Sequence, residues 1–239
     1  MPSSPNAGKN KQANDQHIRW TINAGSPSRK AGLPVVIKFM DMTDNIIESH
    51  PLRPFLPQDA RLLMLGSFPP PRQRWCMDFF YPNWNNDMWR IWGIIASGDK
   101  DHFVIPGEKR FDQARIEDFC RGCGIALYDT AEQVIRLRGN ASDNFLQVVQ
   151  PADIAALLER LPACRAIAAT GQKSAEVLQS LTACAPLQVG GCVEAVFAGR
   201  RLALWRMPSS SRAYPMKVER KAEVYARMWD EVSRQDAGE

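Results

Sequence analysis

The chain has 239 residues, of which 45% are hydrophobic and 23% are charged, with 30 Lys and Arg against 26 Asp and Glu. This composition is typical of a globular protein with one large domain or two small ones, and it excludes wholesale disorder. No apolar run reaches the roughly 18 residues that a membrane-spanning helix needs. Six Cys in a chain able to bury a large core predict reduced thiols and a cytoplasmic location.

The net charge of +4 comes from the start of the chain. Residues 1–40 carry six basic side chains and one acid, so they sum to +5, while residues 41–239 sum to −1. The first 33 residues are rich in Ser, Pro, Asn, Gly and Lys and show no hydrophobic periodicity. They predict a flexible basic extension over 1–40 rather than a secretory signal, with Met40 and Met42 as alternative first residues of the native protein.

From Pro54 onward, apolar runs alternate with amphipathic stretches, which predicts βα units around a mainly parallel sheet. We therefore expect one three-layer α/β/α domain over 41–239, with ligands gathered at the carboxyl ends of its strands. The predicted elements, in chain order, are strand 60–66, helices 86–97 and 112–121, strand 124–129, helix 151–161, strand 165–170, helix 172–181, strands 193–197 and 201–207, and helix 217–233.

The first candidate site follows the strand that ends at Gly66. The chain continues through Phe68 into a loop that is dense in aromatic and Asn residues, including Phe80 and Tyr81. A tight glycine turn lets backbone amides point at a ligand, and aromatic rings can enclose a planar group. The alternative is that these aromatic residues belong to the core and that Asn86 caps the following helix.

Two other strand ends carry polar groups. The run Ser209–Ser211 precedes Arg212 and Lys217, and hydroxyl groups and amides next to such cations suit phosphate oxygens. Residues 199–221 hold seven basic side chains and one acid, which favours a polyanionic partner, although a solvated surface has a similar composition. Asp129 ends another strand, where it could contact the polar edge of a ligand or cap the next helix.

Other chemical interpretations lack partners in the sequence. Cys120 and Cys123 have zinc-like spacing but no second pair, and residues 170–174 lack the first Gly of a phosphate-binding loop. The three histidines are scattered, which favours neither a metal cluster nor a catalytic triad. They are His17, His50 and His102. We expect no metal and no cofactor.

Five motifs resemble, in the same order, the uracil-DNA glycosylase superfamily, and most closely its hypoxanthine-DNA glycosylase branch. They are LGSFPPP, FFYPNWNNDMW, GIALYDT, AIAATGQKSAEVL and MPSSSRAYP, and the similarity spans roughly residues 50–232. The resemblance implies a central, mainly parallel four-stranded sheet and a monomer that binds DNA rather than membranes. Its implied activity is base excision repair, in which a deaminated base, uracil or hypoxanthine, is flipped out of DNA and its N-glycosidic bond is hydrolysed.

The same resemblance suggests roles for individual residues. The amides of Ser67 and Phe68 would face the negative charge of the leaving base, and Asn86, or its neighbour Asn85, would orient the attacking water. Phe68 or Phe80 would stack on the flipped ring. The implied base-binding residues are Gly66, Phe80, Tyr81 and Asp129. The implied DNA-contacting residues are Ser209, Ser210, Ser211, Arg212, Tyr214 and Lys217.

Two positions depart from the family pattern. Phe68 stands where many members place Asp or Asn, and Asp87 replaces an Arg of the hypoxanthine branch. These departures leave a non-catalytic module that binds damaged DNA as an alternative, and a small-molecule enzyme acting on free nucleosides as a third possibility. Asp129 does not separate the two bases, because uracil and hypoxanthine both offer an N–H donor.

Deleting residues 1–39 is expected to leave base excision unchanged, because the resemblance begins only near residue 50. The measurement compares single-turnover excision rates of the full and shortened chains on duplexes carrying one uracil or hypoxanthine. A large loss of rate in the shortened chain would place the basic extension in the DNA-binding machinery.

Overall fold

The computed structural model describes residues 46–137 and 145–234. The predicted extension over residues 1–40, and its boundary with the domain, lie outside these residues. The described part of the chain has eight strands in two sheets and five α-helices. None of the helices in these two ranges is long and apolar enough to span a membrane.

All ten predicted elements are present, with ends that differ from the predicted ones by three residues at most. The strands are β1 (Ile47–Ser49), β2 (Leu62–Gly66), β3 (Ile125–Asp129), β4 (Ala131–Arg136), β5 (Leu146–Pro151), β6 (Ala166–Ala169), β7 (Gly191–Phe197) and β8 (Arg200–Arg206). The helices are α1 (Met88–Ser97), α2 (Gln113–Cys123), α3 (Ile154–Glu159), α4 (Gln172–Thr182) and α5 (Val218–Arg234).

The larger sheet has the strand order β3-β2-β6-β8-β7. The first four strands are parallel, and β7 pairs antiparallel with β8. The predicted α/β fold is therefore confirmed, but the expected number of four strands is wrong. The fifth strand forms because Ala198 and Gly199, with φ of 49° and 71°, make a two-residue hairpin turn between β7 and β8.

The centre of this sheet is fully buried. Every residue of β2 and β6 is buried, as expected for parallel strands that are covered on both faces. Parallel crossovers are right-handed in nearly all proteins, which implies α1 and α2 on one face and α3 and α4 on the other. The long amphipathic helix α5 packs against α1.

A second, smaller sheet with the order β1-β4-β5 is absent from the predicted elements. Its strands are antiparallel and enclose a separate apolar cluster of Phe68, Ala131, Val134 and Leu146. Arg136 of β4 pairs with Glu48 and donates a hydrogen bond to the carbonyl of Pro69. The small sheet therefore anchors the loop that follows β2.

Candidate functional site

A cavity of about 590 Å³ lies at the carboxyl ends of the parallel strands. This volume is within the range of small-molecule sites, roughly 300–1,000 Å³. The wall includes Gly66 and Asp129, which end β2 and β3, Thr170, which follows β6, and Arg206, which ends β8. The four strand ends meet here because the strands are parallel and adjacent in the sheet.

Most of the predicted site residues line this cavity. Arg212 and Lys217 are the exceptions, while the alternative residue Asn85 is part of the wall. The predicted residues in the wall are Gly66, Ser67, Phe68, Phe80, Tyr81, Asn86, Asp129, Ser209, Ser210, Ser211 and Tyr214. These residues are spread along the chain from the end of β2 to the segment after β8, and the sheet brings them together.

The carboxylate of Asp129 is held at the cavity wall by His50. His50 Nε2 lies 2.9 Å from Asp129 Oδ2, and the two side chains are only 3% and 8% exposed. The register of β2 and β3 sets Gly66 directly beside Asp129. A methyl group on Gly66 would come within 2.1 Å of Asp129 Oδ1, so glycine is required for this close approach.

His50 is a site residue that the sequence analysis missed. It directly follows β1, which pairs with β4 and so brings the histidine to the end of β3. Its ring packs against Tyr128, Phe68 and Phe80, with centroid distances of 4.8, 5.3 and 6.2 Å. No spacing or motif links His50 to Asp129, because the two are 79 residues apart in the chain.

Tyr81 and Thr170 form a second polar contact in the wall. The Tyr81 hydroxyl lies 3.0 Å from Thr170 Oγ1, which itself donates to the carbonyl of Leu65 at 3.2 Å. The Tyr81 hydroxyl is therefore the donor in the first contact. Burial, and to a smaller extent the charge of Asp129, raises the pKa of Tyr81, so this phenol stays neutral.

Tyr81 also adopts a left-handed backbone conformation, with φ of 52°. Such a conformation is uncommon for a bulky residue, and it persists only where the surroundings fix it. Here the hydroxyl contact with Thr170 and the edge-to-face contact with Trp89, at 6.1 Å, hold the ring. The Thr170 hydroxyl was not singled out from the sequence, since a lone Thr after a strand has no distinctive pattern.

Asn86 lies at the start of α1. Its Oδ1 accepts a hydrogen bond from the backbone N–H of Met88 at 2.9 Å. The helix begins at Met88 and Asp87 occupies the N-cap position, so the predicted role of Asn86 as the N-cap of a helix starting at Asp87 is wrong by one residue. Asn85 Oδ1 accepts from Arg212 Nη1 at 3.3 Å. Both asparagines border the cavity, and the two are distinguished by their partners.

Phe68 and Phe80 belong to the cavity wall and to the core at the same time. Phe68 is 9% exposed and packs in the apolar cluster under the small sheet, while Phe80 is 3% exposed and packs in the main core. The apolar side chain of Phe68 thus lies between the small sheet and the cavity and contacts both. The core interpretation of these aromatics and the binding interpretation are compatible.

Asp87 joins three elements through one buried carboxylate. Its Oδ2 lies 2.9 Å from Lys221 Nζ, and Lys221 also donates to the carbonyl of Ser211 at 2.8 Å. The backbone N–H of Asp87 donates to the carbonyl of Ser210 at 2.7 Å. The residue that departs from the family pattern therefore ties the start of α1 and helix α5 to residues 209–212, which we call the serine loop.

The predicted concentration of basic side chains beside the serine loop is wrong in part. Arg200 begins β8 and donates to carbonyls around Leu158 and Leu161, roughly 20 Å from the loop at about 3.3 Å per strand residue. Lys221 is fully buried against Asp87. Arg212 is half exposed, with its Nε 3.3 Å from Asp87 Oδ1, and Lys217 is exposed.

Residues that could bind a metal are not clustered in the described part of the chain. No group of three or more His, Cys, Asp or Glu side chains there has the geometry for an ion. Cys120 is buried on α2, and burial raises the pKa of its thiol. The arrangement at the cavity is thus a set of hydrogen-bonding groups and aromatic rings.

Comparisons with known proteins support the fold. No family model and no curated protein matches the chain. Among solved structures, the chain is similar to the NMR structure of a protein from Methanosarcina acetivorans that is named a "putative Uracil DNA glycosylase". The identity is 21% and the TM-score is 0.53, over 77% of this chain and 99% of that one. The chain shares the fold of that protein. The hypoxanthine branch stays a prediction.

Replacing Lys221 by Met should destabilise the fold by about 3 kcal/mol, because it leaves the buried Asp87 carboxylate without its main partner. The measurement is the free energy of unfolding in urea. The double variant Asp87→Asn with Lys221→Met should recover part of the loss, since no unpaired charge then remains buried. If the Lys221→Met variant were as stable as the wild type, the ion pair between Asp87 and Lys221 would not be what holds the serine loop.

Proposed function

We propose that the chain is a monofunctional DNA glycosylase that removes a deaminated base, uracil or hypoxanthine. The observation that carries this proposal is the cavity at the carboxyl ends of four parallel strands in a glycosylase-like fold. It is walled by aromatic rings, a single buried carboxylate and a serine loop. Its rim includes the exposed residues Asn85, Ser211 and Ala213, which suits a nucleotide that arrives from DNA.

A flipped base would be held by Phe80, Tyr81 and Asp129. Aromatic walls favour a planar ring, and the Asp129 carboxylate accepts hydrogen bonds, so it favours an edge that offers an N–H group. Uracil offers N3–H and hypoxanthine offers N1–H. Gly66 contributes by leaving the carboxylate room at the wall.

Departure of the base breaks the C1′–N bond, and the electron pair leaves with the base. The developing negative charge would face the backbone amides of Ser67 and Phe68. The first residues of α4, including Gln172, border the same cavity, as does Arg206, whose guanidinium donates to the carbonyl of Leu187 and to the side chain of Gln172. A helix N-terminus and a cation both favour a negative charge, which offsets the opposing effect of Asp129.

The sugar is left with oxocarbenium character, and a water must add its oxygen to C1′ and lose a proton, which the departed base anion takes up. Asn86 is our candidate for orienting that water. An amide cannot act as a strong base, but its carbonyl oxygen has a second lone pair beyond the bond to Met88. Orientation is sufficient when departure of the base limits the rate.

DNA would be held by the serine loop and the cations next to it. The hydroxyls of Ser209 and Ser211 accept from the backbone N–H groups of Ser211 and Ala213, which leaves their own protons available for phosphate oxygens. Ser210 is buried and positions the loop through its carbonyl. Arg212, Tyr214 and Lys217 would contact the strand around the flipped nucleotide.

A second candidate function is a non-catalytic module that recognises damaged DNA. It is favoured by two observations: Asn86 Oδ1 is already bonded to Met88, and Phe68 brings no polar side chain to the cavity. This module would bind a lesion-bearing duplex without creating an alkali-labile site. A panel of lesions assayed for both binding and excision separates the two functions.

Replacing Asn86 by Ala should lower the excision rate on the order of 100-fold, because the attacking water loses its orientation. The measurement is the single-turnover excision rate on duplexes that carry one uracil or hypoxanthine, detected as strand cleavage after alkali treatment. Asn86→Ser is the matched variant, since the Ser hydroxyl can still accept from the N–H of Met88 but the side chain is shorter. It should keep the stability of the wild type and share the low rate.

The matched variant Asn85→Ala tests the neighbouring residue. A loss of rate in Asn85→Ala, with normal rates in both Asn86 variants, would move the role to Asn85. Normal rates in all three variants would exclude either asparagine as the group that orients the water. Duplex binding without excision of any lesion by the wild type would refute the enzymatic proposal and favour the binding module.

Arg212→Ala should weaken duplex binding and reduce the slope of log K against log salt by about one, as expected for the loss of one phosphate contact. The control is Arg121→Ala, an exposed Arg at the end of α2, on the opposite edge of the sheet. An unchanged slope in Arg212→Ala would show that Arg212 makes no phosphate contact and that its role is the contact with Asp87.

A further inference from the structure

We propose that His50 is a positioning residue that keeps Asp129 Oδ1 a hydrogen-bond acceptor in every protonation state, so that the cavity takes a base by its ring N–H. This inference rests on the proposed function for the chemical class of the ligand, a nucleobase. The contact itself, with Nε2 and Oδ2 2.9 Å apart and both side chains buried, is a property of the structure.

The two oxygens of Asp129 have different surroundings. Oδ2 is bonded to the imidazole of His50, which packs behind Phe68 and against Tyr128 and is not itself one of the residues that line the cavity. Oδ1 is the oxygen that a methyl group on Gly66 would meet, and both Gly66 and Asp129 line the cavity. Because His50 occupies Oδ2, Oδ1 is the carboxylate oxygen left for a ligand in the cavity.

The other ring nitrogen, His50 Nδ1, limits how protons can be distributed. It lies 2.8 Å from the carbonyl of Leu52 and 3.2 Å from the backbone N–H of Leu52. In the imidazolium, Nδ1–H donates to the carbonyl and Nε2–H donates to Oδ2. In one neutral tautomer, Nδ1 accepts from the N–H of Leu52 and Nε2–H again donates to Oδ2.

In the other neutral tautomer, Nδ1–H donates to Leu52 and Nε2 has a bare lone pair. Two lone pairs would then face each other at 2.9 Å unless Oδ2 of Asp129 carries a proton and donates it to Nε2. Oδ1 is a carbonyl oxygen in that case. In all three arrangements the proton lies between Nε2 and Oδ2, and Oδ1 can only accept.

A carboxyl group that carries its proton on Oδ1 would donate to a carbonyl of the base instead of accepting from an N–H group. The imidazole removes that option. A base that offers a ring N–H then gains a hydrogen bond to Oδ1, whereas the same base methylated at that nitrogen sets an apolar group against a buried acceptor. The specificity-determining unit is thus the pair of His50 and Asp129.

The test uses two variants, one that keeps the ring and one that keeps the N–H donor. His50→Phe retains an aromatic ring among Phe68, Phe80 and Tyr128 but removes the N–H donor. His50→Gln replaces the ring by an amide that still places an N–H donor near Oδ2. Thermal unfolding of both variants checks that the fold is intact.

Calorimetry measures binding of uracil and hypoxanthine against 3-methyluracil and 1-methylhypoxanthine, and duplexes carrying deoxyinosine or 1-methyldeoxyinosine provide the same comparison in DNA. The wild type should prefer the N–H form by at least about tenfold, the value expected for a hydrogen bond to a buried carboxylate. His50→Phe should reduce the preference to less than about threefold, and His50→Gln should restore it. A merely structural role would not produce this rescue.

Spectroscopy provides a second readout. The proton between His50 Nε2 and Asp129 Oδ2 should give an NMR signal protected from solvent exchange, and the signal should be lost in Asp129→Ala. The inference would be overturned if His50→Phe kept the preference for the N–H form. It would also be overturned if the wild type showed no such preference with either free bases or duplexes. If the preference behaves as expected and no lesion is excised, the glycosylase proposal fails and the role of His50 stands.

Discussion

The buried carboxylate of Asp87 connects the start of α1, helix α5 and the serine loop. It pairs with Lys221 of α5, its backbone N–H is bonded to Ser210, and its second oxygen contacts Arg212. A buried carboxylate is costly unless it is paired, so each partner must stay in place. The serine loop is thereby fixed relative to α1 and α5 before any ligand binds.

The opposite wall of the cavity depends on a steric constraint. The parallel register of β2 and β3 sets Gly66 beside Asp129, and there is no room for a side chain at Gly66. The small sheet delivers His50 to the same carboxylate and clamps the Pro69 loop through Arg136. One wall is therefore fixed by an ion pair and the other by close packing and a hydrogen bond, which leaves a preorganised space between them.

The larger sheet could be predicted because its strands are continuous apolar runs followed by turn residues, as in β2 and β6. The small sheet could not, since β1 has only three residues and β4 mixes polar and apolar positions. Such strands are stable through the apolar cluster around Phe68, which forms only once the chain has folded. The same holds for His50, whose partner comes from a distant part of the chain.

The sequence by itself determined the order of the elements and the residue types at the strand ends, because hydrophobic periodicity and glycine positions are local properties of the chain. It thus placed Gly66, Asp129 and the serine loop at one edge of a parallel sheet. The tertiary structure alone decided that Asp87 pairs with Lys221, that Arg200 lies far from the serine loop, and that His50 is bonded to Asp129. These are contacts between residues far apart in the chain, and only the packed fold sets their distances.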